Sequence, residues 1–235
     1  MAVIRKNEAV TGDIYLMEVG GAPKGRAGQF FMIKASDTLD VYLPRPISIH
    51  DQAEDIVTFL YQAKGKGTQL LSRKKAGEEL VLTGPFGNGF TFEDADAAFV
   101  GGGVGTAPLY YAVKAFKLQF PQRKASVYLG FSEEDYRTEE FAQIADEVFV
   151  DVGGFITEKI DFSAEKVFYA CGPEPMMRAL SARCKESGRM LYVSLERRMA
   201  CGLGACLGCS IPTKSGMRRV CKDGPVFPAG EVFYE

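Results

Sequence analysis

Five short runs in the first third of the chain, DIYLMEV, GQFFMIKA, RPISIHD, DIVTFLYQA and EELVLTG, mix β-branched, aromatic and polar residues and are separated by turn formers. Runs of that length and texture predict antiparallel strands closing into a barrel or sandwich. The pattern then changes. Apolar strands AAFVGGG, ASVYLGFS and VFYACGP alternate with the helical stretches APLYYAVKAFKLQF and EPMMRALSARCKESG, and such alternation predicts a parallel sheet wrapped by helices. The last forty or so residues are rich in Gly and Cys and hold too few large apolar residues for a core of their own, so something else must staple them. The expected organisation is multi-domain: an antiparallel β-barrel over 1–94, an α/β domain over 95–195 and a small cysteine segment over 196–235. No internal repeat or low-complexity tract interrupts it.

Composition narrows the function classes. The 235 residues include 28 basic and 30 acidic side chains, a net charge of -2, with 46% hydrophobic and 25% charged positions. That balance is globular and carries no basic excess for nucleic acid. The start, MAVIRKNEAV, is charged too early for a signal peptide, and the longest apolar region is broken by glycines and a proline, so neither export nor membrane insertion is expected. The expected compartment is the cytoplasm, where clustered cysteines are metal ligands or redox centres more often than disulfides.

Cys201, Cys206, Cys209 and Cys221 follow the spacing C-x4-C-x2-C-x11-C. This is the spacing of plant-type 2Fe-2S ligation, and the intervening glycines let a tight loop aim N–H groups at sulfur. Zinc is the structural alternative, although it usually pairs two short C-x2-4-C units. Cys171 and Cys184 lie outside the pattern and read as small buried hydrophobes.

Two further segments suit nucleotides. VGGGVGTAP places Gly101, Gly102, Gly103, Gly105 and Thr106 between a strand and a helix, where a pyrophosphate can meet free N–H groups, and Pro108 suits the first helical turn. The strict G-x-G-x-x-G/A pattern fails at Thr106. The second parallel strand ends in SEED, so Glu133 and Glu134 favour NAD over NADP, with Arg137 as the opposing charge. Cys171, Gly172 and Pro173, at the end of a later strand, can flank a nicotinamide.

In LPRPIS, Arg45 and Ser48 sit on a stiff, proline-bearing β segment, and a guanidinium there can fork onto phosphate. Tyr61 offers a ring or ribose contact downstream, and Gly65, Gly67 and Thr68 can wrap a pyrophosphate. His50, the single histidine, reads as a solvated strand-end residue.

Taken in order, RPIS, GKGT, GGGVGTAP, CGPEPMM, SLERRMACG and CGLGACLGC resemble the electron-transfer subunits of two-subunit, NAD-linked dihydroorotate dehydrogenases, a branch of the ferredoxin-NADP reductase family. The resemblance spans essentially the whole chain. It implies FAD on the barrel against Arg45, Pro46, Ile47, Ser48, Leu60, Tyr61 and Gln62, with Gly67 and Thr68 at its pyrophosphate. It implies NAD at Gly101 to Thr106 and at Cys171 to Pro173, and a 2Fe-2S cluster on the four cysteines. Ile47 departs from the tyrosine often found at that position in related flavin proteins. The implied partner is an FMN-containing catalytic subunit that oxidises dihydroorotate, in a heterotetramer of two of each chain. Arg218 and Arg219 are candidates for docking it. Similar chains serve ferredoxin-NADP transhydrogenases or sulfide dehydrogenases, and a zinc-stapled nucleotide-binding module is the alternative of another class.

Overall fold

The computed structural model describes residues 1–36 and 38–234. Strands β1 (Val3–Thr11), β2 (Ile14–Gly20), β3 (Phe30–Ile33), β4 (Arg45–Ser48), β5 (Asp51–Ala53) and β6 (Ile56–Gln62), helix α1 (Lys66–Ser72) and strand β7 (Leu82–Phe86) make the first unit. They form two antiparallel sheets, ordered β1-β2-β6-β5 and β4-β3-β7. Alternate residues such as Met17, Val19, Phe31, Ile33, Val57 and Phe59 meet in one buried core between them. Among the described residues strand β4 pairs only with β3, so it is an edge, which is where Pro46 can sit without breaking a ladder.

The second unit comprises β8 (Ala97–Gly102), α2 (Ala107–Gln119), β9 (Ala125–Phe131), α3 (Thr138–Phe141), β10 (Glu147–Val152), β11 (Val167–Cys171), α4 (Glu174–Glu186) and β12 (Met190–Ser194). Its strands run parallel in the order β10-β9-β8-β11-β12. Every residue of β8 and β11 is buried, as strands covered on both faces require. On one face Ala97, Phe99, Val127 and Tyr169 pack against Leu109, Ala112, Val113 and Phe116 of α2, which recur at helical spacing. The order reverses between β8 and β11, so their carboxyl ends open a crevice.

The cysteine segment is welded to that sheet. It folds as a hairpin of β13 (Ser210–Thr213) and β14 (Gly216–Arg219), then α5 (Val220–Asp223), β15 (Val226–Pro228) and α6 (Ala229–Val232). Strand β15 pairs antiparallel with β12 and becomes the sixth strand. Ile211, Val220 and Phe227 share a core with Phe168, Ala170 and Leu180, so the staple expected for this segment is the α/β core itself.

Barrel and sheet are firmly joined. Lys114 Nζ reaches Asp51 at 2.8 Å, Tyr111 donates to the Gly25 carbonyl at 3.1 Å, and the Glu93 carboxylate accepts from Tyr192 at 2.7 Å. His50 belongs to this joint and corrects the expectation of a solvated residue: it is 1% exposed, stacks on Tyr110, and its Nδ1 meets the Ala107 carbonyl at 2.7 Å. Helix α2 closes over the strand end, which a one-dimensional pattern cannot show. Among the described residues no helix is long and apolar enough to cross a membrane.

Candidate functional site

Two grooves and one loop gather most of the residues singled out in the sequence. The first groove, about 820 Å³, runs along the free edge of β4 and the end of β6. Arg45, Pro46, Ile47, Ser48, Leu60, Tyr61, Gln62 and Thr68 all line it, as do Ala107 and Pro108 at the start of α2. Gly67 lies beneath rather than in the wall: a Cβ there would sit 2.3 Å from Arg45 Nε, so its missing side chain lets the guanidinium cross the first turn of α1. Thr68 shapes that turn by accepting from the Gly65 N–H at 3.1 Å. The Tyr61 hydroxyl is turned into the barrel, where it donates to Asn7 at 3.0 Å and burial pushes the phenol up, so its proton is not free for a ribose. Phe30 and Met199 complete the wall from distant segments, with Lys64 just beyond Gln62.

The second groove, about 920 Å³, opens at the β8/β11 crevice. Gly102, Gly103, Gly105, Gly172 and Pro173 line it, whereas Gly101, Thr106 and Cys171 do not. The glycines divide the work. A Cβ on Gly105 would fall 2.5 Å from the Cys171 carbonyl, so this residue allows two backbone turns to touch. Gly103 instead has open space beside it and a φ of +54°, the left-handed region that favours glycine. Thr106 donates to the Gly103 carbonyl at 2.9 Å and holds the turn from below. Cys171 is 2% exposed, and burial pushes its thiol up, so it supports the crevice floor.

Acidic groups dominate this groove: Asp13, Glu133, Glu134, Glu174 and Glu196 face Lys64 and Arg197. Arg137 does not line it and pairs instead with Glu140. Glu196 stands in the open crevice shared by both grooves, where partial desolvation raises its carboxyl. Thr11, Gly12 and Asp13 of the barrel also reach this groove, a contribution no local signal announced.

The cysteine loop begins two residues past Met199 and lies on the barrel, since a Cβ on Gly202 would sit 2.4 Å from Met32. The sulfurs fall into two pairs: the Cys206 N–H points at Cys201 Sγ at 3.4 Å, and the Cys221 N–H at Cys209 Sγ at 3.4 Å. The Gly208 N–H points at Cys206 Sγ at 3.5 Å. Such donors, led by the Cys206 N–H, pull the Cys201 thiol down to about 6. Burial, then Cys209, pushes Cys221 up to about 12. Free thiols in pairs, with N–H groups aimed at sulfur, fit a binuclear cluster with two thiolates per iron. Among the described residues no three His, Cys, Asp or Glu side chains gather as a single-ion site. Arg219 is not free for docking: it grips Asp223 at 3.0 Å and the Gly204 carbonyl at 3.2 Å, bracing the loop. Arg218 is exposed.

The family described as the iron-sulfur cluster binding domain of dihydroorotate dehydrogenase B matches residues 196–233. The dihydroorotate dehydrogenase B (NAD(+)) electron transfer subunit of Clostridium perfringens is 38% identical over 238 residues, covering 97% of this chain and 96% of that protein. The Bacillus cereus (strain Q1) protein of the same name is 38% identical over 256 residues, covering 99% and 97%. A chain from the NADH-dependent reduced ferredoxin-NADP oxidoreductase structure, described in connection with flavin-based electron bifurcation, superposes with a TM-score of 0.88 at 27% identity, covering 99% of this chain and 89% of that one. Flavohemoglobin from Malassezia yamatoensis, with FAD and heme bound, shares the fold at a TM-score of 0.67 and 20% identity, over 80% of this chain and 56% of that one. With paired grooves, a four-cysteine loop and full-length relatives of one name, the chain belongs to the family of dihydroorotate dehydrogenase B (NAD(+)) electron transfer subunits.

Proposed function

We propose that this chain passes electrons between NAD and a separate FMN-bearing subunit that oxidises dihydroorotate to orotate, with FAD in the first groove, NAD in the second and a 2Fe-2S cluster on Cys201, Cys206, Cys209 and Cys221. One observation carries the reading. The two grooves share a wall of Gln62, Lys64, Val104, Leu195, Glu196 and Arg197, and Met199 of the first groove runs directly into the cysteine loop.

When bound, FAD trades a hydride's two electrons with nicotinamide and single electrons with an iron-sulfur cluster. The chain's own work is to bind, orient and shield. Arg45 would fork onto the FAD phosphate, and the Ser48 hydroxyl with the unpaired edge of β4 would meet a ring edge. Gly103 and Gly105 bring backbone N–H groups of the 103–106 turn against a second pyrophosphate. Leu203 and Leu207, 55% and 61% exposed beside Cys206, supply an apolar rim for the partner, with Arg218 at its margin. No residue here needs to act as a substrate acid or base. We divide the chain as 1–94 for FAD, 95–195 for NAD and 196–235 for the cluster, and propose a cytoplasmic heterotetramer of two of each chain.

The likeness to the ferredoxin-NADP oxidoreductase chain favours a second reading, the flavin and iron-sulfur subunit of another NAD(P)H-linked reductase. Purification with the native partner separates the two. An FMN-containing subunit active on dihydroorotate supports the proposal, and a large multi-cluster partner without that activity refutes it.

A further inference from the structure

The barrel sends one hairpin across to the nicotinamide groove. Thr11, at the end of β1, donates its hydroxyl to Glu134 Oε2 at 2.5 Å, a charge-assisted bond joining residues 123 apart in sequence. The next two residues, Gly12 and Asp13, line the groove opposite Ser132, Glu133 and Glu134. Asp13 is already engaged, since both its oxygens take the Gln62 amide at 2.9 and 3.1 Å. Among the described residues Glu134 is bonded by Thr11 alone, and a carboxylate keeps acceptor capacity after taking one hydroxyl.

Position decides what that capacity meets. Glu133 and Glu134 follow the carboxyl end of β9, the second strand of the parallel sheet, where the adenosine ribose of a dinucleotide is read. The cations of the groove, Lys64 and Arg197, stand at the wall shared with the flavin groove, and Arg137 is held by Glu140. A ribose 2′-hydroxyl can donate to Glu134. A 2′-phosphate dianion offers only acceptors and like charge to the same carboxylate.

Resting on the nicotinamide reading above, we infer that Thr11 is a specificity-determining positioning residue: it fixes the Glu134 carboxylate where it accepts from the adenosine 2′-hydroxyl and repels a 2′-phosphate. Specificity for the nucleotide is thus set partly by the flavin barrel rather than by the nucleotide domain alone. An exposed glutamate left free has many rotamers to lose on binding, and the threonine removes that loss beforehand.

The test is stopped-flow reduction of the bound flavin by NADH and by NADPH, using the protein assembled with its partner. The nucleotide dependence gives a dissociation constant and a limiting rate separately. For Thr11→Val the dissociation constant for NADH rises about two- to tenfold, the size expected when one glutamate side chain must give up its rotamer freedom on binding. The limiting rate stays unchanged, and Thr11→Ser restores the binding. Glu134→Gln narrows the preference for NADH over NADPH about tenfold or more. An unchanged constant and preference in Thr11→Val overturns the inference, as does equal impairment of Thr11→Val and Thr11→Ser. If neither nucleotide reduces the flavin of the unaltered protein, the nicotinamide reading falls and takes this inference with it.

Discussion

Replacing Gly67 by alanine separates folding from flavin binding. The new Cβ would stand 2.3 Å from Arg45 Nε, 2.6 Å from Cζ and 2.7 Å from Nη2, whereas unstrained heavy-atom contacts lie at about 3.5 Å. The guanidinium must therefore move by about 1 Å, and it can, because it ends a flexible side chain. The helix gains from the change: alanine is favoured over glycine by about 0.5–1 kcal/mol in helical backbone. The melting temperature of flavin-free protein then holds or rises by about 2–4 °C per kcal/mol. Binding goes the other way. A misplaced fork on phosphate forfeits about 1.5–3 kcal/mol, the worth of a hydrogen bond to a charged group, or about ten- to a hundredfold in affinity. Titration of stripped protein with FAD, followed by fluorescence quenching, measures the loss beside a melting curve. Unaltered FAD affinity in a folded Gly67→Ala protein refutes the role given to Arg45.

Three other outcomes follow from the geometry. Burial holds the His50 pKa down at about 4 against 6.5 in the unfolded chain, so between these values the unfolded state binds the proton that the native state does not. Stability therefore falls as pH drops from about 6.5 to 4, by about 3 kcal/mol from this group. His50→Gln removes that component, and parallel urea stability profiles for the two proteins would contradict the buried neutral imidazole. Gly105→Ala drives a Cβ into the Cys171 carbonyl and the Gly172 backbone. It costs about 1–3 kcal/mol of overpacking, measurable by urea unfolding, and weakens NADH binding more than FAD binding. Cys206→Ser, at an exposed cysteine of the proposed cluster, abolishes the broad iron-sulfur absorption while flavin absorption persists. Loss of both with global unfolding would show that the cluster segment and the barrel do not hold their groups separately.

The parts legible in the sequence are those encoded locally. The C-x4-C-x2-C-x11-C spacing, the strand texture of RPIS and the glycine turn before α2 each lie within a few residues, and the structure brings Arg45 to Ser48 and Gly102 to Gly105 to their grooves. What stayed hidden depends on chain segments meeting across the fold. His50 reads as polar at a strand end until α2 covers it. Arg219 reads as a surface charge until the α5 turn brings Asp223 back to it. Strand β15, three residues long, has no periodicity of its own and is made a strand by the edge of β12. Cys171 and Thr106 sit within the expected motifs yet face inward, because adjacent residues of a strand or a tight turn point in different directions.

The proposed route runs from a dihydroorotate-oxidising partner to NAD through this chain's two grooves and cysteine loop. Dihydroorotate-dependent NAD+ reduction by the complex purified with its native partner tests it most directly, with the Cys206→Ser complex alongside. Turnover is expected to need both chains and to disappear in Cys206→Ser, while NADH still reduces an artificial acceptor through FAD in that variant. Undiminished dihydroorotate-dependent NAD+ reduction without the cluster, or none in the intact complex, would contradict it.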